Sequence, residues 1–385
     1  MQKQYKSSIY LDHNATTPVA PESLKAMMPY LQENFGNPSS EYILGRNAKE
    51  GIKRARKDLA ALFGCRSNEV VFTSGGSESN NMVLKGLIDF TNTEKFHIII
   101  SAVEHPAILN PALFLMELGV NVTILPVDHS GKVNPEDVQK AILPNTSLIT
   151  IMLANNETGT LQPIKDISVI ARKYDIPFHT DAAQAVGKID VDVNELGVDF
   201  LTVAGHKFYG PKGVGALFIR NGQNIIPLIH GAGQEGGKRA GTENVILIAG
   251  LGAASGIAKK SLKDNIQKMK TLRNRLEALL FNNIEGLVLN GHPEERLPNT
   301  LNISAPGLEG GKILDGLPDI MASTGAACHD RTVRLSHVLS AMGIPPEVGM
   351  GTLRFSVGRC NTIEQIDEAA RLIINRVKTM RKYGN

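Results

Sequence analysis

Cysteine is scarce: Cys65, Cys328 and Cys360 are the only three in 385 residues. An odd, sparse set excludes a disulfide framework and points to a reducing compartment. None stands in a CxxC pair or a His/Cys cluster, so no metal site is expected. No apolar run approaches the ~20 residues of a membrane helix. The opening MQKQYKSSIYLDHN lacks the apolar centre of a signal peptide. A cytoplasmic protein is expected. Blocks of about five or six like charges are absent, and the net charge is only +3. Binding to nucleic acid or to a membrane surface therefore has no compositional support.

What is present is a globular enzyme's composition, with 42% hydrophobic residues and 37 glycines. At roughly 100–200 residues per domain, the length allows two domains. Short apolar runs recur through residues 65–220: EVVFTS, FHIIIS, VNVTILPV, SLITIMLA, IPFHTD and VDFLTVAG. Helical patterns such as PAILNPALFLMELG and KDISVIARKYD separate many of them. Strands apolar on both faces and joined by helices predict a mainly parallel sheet covered on both sides. After about residue 260 the texture changes. KKSLKDNIQKMKTLRNRLEALLFNN reads as a long helix, LVLNG and NTLNIS as strands, and TIEQIDEAARLIINRVKTMRKY as a last helix. The expected division is a large α/β domain at 16–260 and a smaller α+β domain made of 1–15 and 261–385.

In open α/β sheets, ligands sit beyond the carboxyl ends of the strands. The residues just after each apolar run are Gly75-Gly76-Ser77-Glu78, Glu104-His105, Asn155-Asn156-Glu157, Asp181 with Gln184, and His206-Lys207. Taken singly, each has an ordinary reading: a turn, a structural histidine, a helix cap, a solvated lysine. Together they suit one ligand. A Gly-Gly-Ser turn opening a helix offers N–H groups and a hydroxyl to a phosphate. His105 can stack on a flat ring, and Asp181 can hold a ring nitrogen protonated. A desolvated Lys207 is a nucleophile toward an aldehyde. Pyridoxal phosphate asks for all of these.

Two further features lie toward the C-terminus. MASTGAACHDR sets Cys328 among Ser323, Thr324, Gly325, Ala326 and Ala327, with charged residues following. This reads as an exposed, mobile loop with a reactive thiol, whereas Cys65 and Cys360 suit the bland core role. GTLRFSVGR puts Arg354 in a strand-like run, where its fork could grip a substrate carboxylate.

The motifs YLDHNATTP, FGNPSS, VFTSGGSESNN, VEHPA, ANNETG, HTDAAQAVGK, GHKFYGPKGVGAL, GQEGGKRAGTEN, RLPNT, STGAACH and LRFSVGR follow one another through nearly the whole chain. In them the chain resembles the cysteine desulfurases and selenocysteine lyases, class V members of the fold-type I pyridoxal-phosphate enzymes. The resemblance implies a seven-stranded, mainly parallel sheet in the large domain and a small domain carrying the cysteine loop. It implies that Lys207 bonds covalently to the cofactor, that Asp181 pairs with the pyridine nitrogen, and that Gln184 meets the ring hydroxyl. His105 would stack on the ring, and Gly76, Ser77 and His206 would bind phosphate. Thr242 would complete the phosphate site of a second copy, in a homodimer. Asn156 and Arg354 would hold the substrate carboxylate, and Cys328 would accept the chalcogen. Ala204 departs from the pattern, standing where some members place a serine near the phosphate.

The implied reaction takes sulfur from L-cysteine, leaving L-alanine, for delivery to acceptor or scaffold proteins in iron–sulfur cluster or other sulfur-cofactor synthesis. L-selenocysteine is the alternative substrate, since motifs of both groups are present. An aminotransferase of the same fold would need Lys207 and Asp181 but not Cys328.

Overall fold

The computed structural model describes residues 8–324, 326–329 and 332–383, with backbone alone given for 326–329 and 332–334. The large sheet has seven strands: β1 Val70–Thr73, β2 His97–Ser101, β3 Asn121–Leu125, β4 Thr146–Thr150, β5 Phe178–Asp181, β6 Phe200–Ala204 and β7 Gly215–Ile219. Their spatial order is β1-β7-β6-β5-β4-β2-β3, parallel from β6 to β3, with β7 antiparallel to both its neighbours. The central strands are buried at every position from His97 to Ser101 and from Phe200 to Ala204. Their near-continuous β-branched and apolar runs follow from being covered on both faces.

Six of these strands coincide with the apolar runs read from the sequence. The seventh, GALFI, follows the Gly210–Gly215 turn, whose breakers hide its apolar signal. Gly215 itself is required: a Cβ there would lie 2.4 Å from Val203 O and 2.7 Å from Gly75 Cα. The start of β7 thus packs directly on the turn that follows β1.

The helix read after residue 260 begins earlier. It runs unbroken from Val245 to Asn283, with Asn244 Oδ1 capping Leu247 N at 3.1 Å. Its first half buries Ile248, Leu251, Ala254 and Ala258 in the core of the large sheet. Its second half buries Met269, Leu272, Leu276 and Leu280 in a separate core with the last helix, Ile363–Tyr383. The pattern after 260 stood out because its exposed positions are charged, whereas VILIAGLGAASGIA is small and apolar throughout. By length and hydropathy this helix could cross a membrane. Its apolar faces are instead occupied by the two cores.

The second core is covered by a four-stranded antiparallel sheet in the order Ser323–Thr324, Thr352–Ser356, Thr300–Ser304, Val288–Leu289. Ile9–Tyr10 pairs in parallel with Ile320–Met321. The following stretch, Asp12–Thr17, reaches the carboxyl edge of the large sheet, where Thr17 N donates to His206 O at 2.9 Å. The backbone of Ala326–His329 pairs with Thr332–Leu335 as a hairpin, where the sequence suggested an open loop. The Cys328 and His329 side chains, and residues Gly325 and Arg331, lie outside what the structure describes.

Candidate active site

The strand ends converge on one cavity of about 230 Å³. Gly76 and Ser77, His105, Asn156, Asp181 and Gln184, and His206 and Lys207 all line it. At the phosphate-like end, Gly75 has φ 152° and ψ −178°, a conformation open essentially to glycine alone. It turns the chain into the helix Gly76–Gly86, whose first N–H groups have no partner within the helix. Ala204 sits opposite, 3.5 Å from where a Gly76 Cβ would be.

Asp181 is held from both sides. Its Oδ2 accepts from Asn80 Nδ2 at 2.7 Å and its Oδ1 from Ala183 N at 2.9 Å. His105 caps the helix Pro106–Glu117 through Nδ1, which accepts from Ala107 N at 3.1 Å. Burial is the main cause that lowers its pKa, with the Lys207 ammonium adding to it against the pull of Asp181. His206 Nδ1 meets Thr16 Oγ1 at 3.1 Å, and burial with nearby lysines lowers its pKa to about 4. Both rings are therefore neutral near pH 7.

Lys207 Nζ donates to the main-chain oxygens of Asn14 at 2.7 Å and Ala15 at 2.9 Å. Burial and the Arg354 charge lower its pKa to about 8, against the pull of Asp181 and Asp12. It is thus close to the range where an amine can both bond to an aldehyde and carry a proton.

Two expected site residues stand apart from the cavity wall. Arg354 donates from Nη1 to Asn156 O at 3.0 Å and from Nη2 to Asp12 Oδ1 at 2.8 Å and Ser323 Oγ at 3.0 Å. Its Nε is buried with no partner among the described residues. Thr242 is exposed, on the loop that precedes the long helix.

Sequence reasoning missed Asn80, Asn14, Lys188 and Asp12. Asn80 lies one turn into the helix after the Gly-Gly-Ser turn, a spacing that would have flagged it. Asn14, 1% exposed, uses every polar atom it has. Its N donates to Ser356 Oγ, its Nδ2 to Thr300 Oγ1 and Asn156 O, and its Oδ1 accepts from Lys188 and Asn299. Glu104 was noted in the sequence without a role. It is fully buried, and burial pushes its carboxyl up to about 8, against hydrogen bonds from Ser101 and Met152.

Whether pyridoxal phosphate suits this cavity can be judged from its lining. A glycine cradle at a helix start, a fixed carboxylate, a desolvated lysine and a neutral ring match the cofactor's phosphate, ring nitrogen, aldehyde and face. Two buried amide oxygens in the lining residues, Asn80 Oδ1 and Asn156 Oδ1, have no partner among the described residues. The residues fit the cofactor.

Fold and cavity together define a pyridoxal-phosphate enzyme of fold type I. The chain belongs to the class-V aminotransferase family, whose model matches residues 9–369. Within it the chain is similar to "Cysteine desulfurase IscS" of Dictyoglomus turgidum, 47% identical over 98% of this chain and 97% of that one. "Cysteine desulfurase IscS" of Methanosarcina thermophila is also 47% identical, over 98% and 94%. Among solved structures, a "NifS-like protein" superposes with a TM-score of 0.91 at 37% identity, covering 97% of this chain and all of that one. "SspA in complex with cysteine" does so at 0.80 and 38%, covering 92% and 99%.

Proposed function

We propose that the protein is a pyridoxal-phosphate-dependent cysteine desulfurase that converts L-cysteine to L-alanine and passes the sulfur to Cys328. The observation that carries this reading is Lys207: its ammonium is desolvated, held on two carbonyls and shares one cavity with Asp181. Full-length similarity to cysteine desulfurases, and to a structure holding cysteine, supports the substrate. When bound, the cofactor supplies an electron sink for the substrate α-carbon.

Gly76, Ser77 and His206 would bind the phosphate. Asp181, fixed by Asn80, would keep the ring nitrogen protonated, and Gln184 would donate to the ring hydroxyl. His105 would stack on the ring. Asn156, with its unpartnered Oδ1, and Arg354, with its unpartnered Nε, receive the amino-acid portion of the substrate. Lys207 would hold the cofactor and, once freed, would take the α-proton of the substrate. The Cys328 thiolate attacks the substrate sulfur. A sulfur–sulfur bond forms, the carbon–sulfur bond breaks with its electron pair left on the β-carbon, and two protons complete alanine. One goes to the β-carbon and the other, the one Lys207 took, goes back to the α-carbon. The product on Cys328 is a persulfide, carried to acceptor proteins. Thr242 reaches the phosphate of a second copy, in a homodimer. The large unit spans 16–260, with the small one formed from 1–15 and 261–385.

The test is parallel measurement of alanine, sulfide and selenide from L-cysteine and L-selenocysteine. Cys328→Ala is expected to stop alanine formation from cysteine while the bound cofactor's visible band persists. Wild-type alanine production by that variant would remove the role given to Cys328. Pyruvate in place of alanine would mean that sulfur leaves by β-elimination.

A further inference from the structure

Lys188 is a buried cation that the proposed reaction leaves idle. It is 4% exposed, and its ammonium has two partners: Gln184 Oε1 at 2.7 Å and Asn14 Oδ1 at 3.0 Å. Among the described residues no carboxylate pairs with it. Burial, Lys207 and Arg354 all lower its pKa well below the ordinary value, and the neutral ring of His13 also faces it. Burying an ammonium without a counter-ion is costly. An apolar side chain would fill the same space at less cost, so the amine needs a reason.

That reason lies in its donors. Charged or neutral, the amine brings at least two N–H groups, and the two atoms that face them are amide oxygens. Lys188 thereby fixes the flip of two amides. The Gln184 NH2 group is turned to the Asn14 main-chain oxygen at 2.9 Å, which leaves one N–H of that group for a ligand in the cavity that Gln184 lines. The Asn14 NH2 group is turned to Thr300 Oγ1 at 2.9 Å and Asn156 O at 3.2 Å. The Asn14 oxygen that receives Gln184 also receives Lys207 Nζ.

We propose that Lys188 is a positioning residue: by claiming the amide oxygens of Gln184 and Asn14, it presents the Gln184 NH2 to the cofactor's ring hydroxyl and secures the carbonyl on which Lys207 rests. This rests on the reading of Gln184 and Lys207 given above.

The experiment compares Lys188→Met, Gln184→Ala and the double variant with wild type, all of which retain Lys207, Asp181, Asp12 and Arg354. It reads the dissociation constant of pyridoxal phosphate from the cofactor-stripped protein. It also reads the pH midpoint of the visible band in the loaded protein. Thermal melting checks that each variant folds. Gln184→Ala is expected to weaken cofactor binding about tenfold, the loss of one hydrogen bond to a charged oxygen. It should also raise the band midpoint, because a donor to the ring oxygen favours its anion. Lys188→Met should shift both readouts in the same directions, and the double variant should lose less than the sum of the two single changes, because part of what Lys188 does runs through Gln184. Additive effects in the double variant, or Lys188→Met with wild-type values of both readouts, would overturn the proposal. A silent Gln184→Ala would instead overturn the placement of Gln184 on the cofactor. If Lys188→Met does not melt cooperatively, Lys188→Gln carries the same comparison, since it can present either end of its amide to Gln184.

Discussion

The carboxyl edge of the large sheet and the stretch Asp12–Thr17 meet at Lys207, and they are built in opposite ways. The edge delivers one or two groups from each of five strand ends, and these groups line a common cavity. The stretch delivers acceptors and a few short side chains: the oxygens of Asn14 and Ala15 to Lys207, Asp12 to Arg354, Thr16 to His206, and Asn14 to Lys188. One region holds the groups that do chemistry and the other sets where they rest. Either can be damaged separately, and the two kinds of damage should look different.

The largest expected effect belongs to the edge. Lys207→Ala should abolish alanine formation, with folding intact. Borohydride reduction of the wild-type protein should place the cofactor on residue 207 by mass spectrometry. Cofactor found on another lysine would break the assignment of the edge as the reactive region.

Next comes the stretch. Asn14→Ala removes four side-chain hydrogen bonds in a buried place and leaves Lys188 with Gln184 alone. We expect a stability loss of about 2–4 kcal/mol by chemical denaturation, together with slowed rather than abolished turnover. Unchanged stability would mean that the stretch is not the support described here.

Acid should expose both regions at once. Burial lowers His13, in the stretch, to about 4, and lowers His179, on β5 between Thr150 and Thr202, to about 3. Both values are depressed by folding, so below about pH 6.5 the unfolded chain binds protons that the folded one refuses. Stability should fall as pH drops from about 6.5 toward 4, by up to about 2.7 kcal/mol per unit from these two rings. His13→Gln should lower the measured slope by about 1.4 kcal/mol per unit in urea titrations at stepped pH. A slope unchanged by His13→Gln would show that only the sheet senses acid.

The smallest effect is a backbone one on the edge. Gly75→Ala forces a side chain into φ 152°, at a cost of about 1–3 kcal/mol. It should also weaken cofactor binding, because the same turn begins the phosphate cradle. Unaltered cofactor affinity in a folded Gly75→Ala protein would separate the turn from the cradle.

The same contrast explains what was legible in the sequence. Strand ends follow apolar runs, so Gly76, His105, Asp181 and Lys207 could be found by position and chemistry. Most of the sheet was readable for the same reason. GALFI was not, because glycines needed for close packing against Gly75 masked its start. Asn14 and Lys188 gave no local signal. Their importance comes from contacts made across most of the chain, and a lone asparagine or a lysine after Ala-Val-Gly looks like surface. Arg354 was noticed because a charge in a strand is unusual, but its partner Asp12 was not.

The pairings that finish the site join positions 12–14 to positions 354–356. Asn14 N waits for Ser356 Oγ and Asp12 for Arg354, each about as far apart in the chain as this fold allows. During synthesis the large sheet can form from its own helices and strands while its lysine still lacks part of its surroundings. Contacts of such separation also form late and slowly in folding. Synthesis must therefore pass residue 356 before the pocket can mature, and a chain cut short before residue 352 should fold its sheet yet never become a working enzyme.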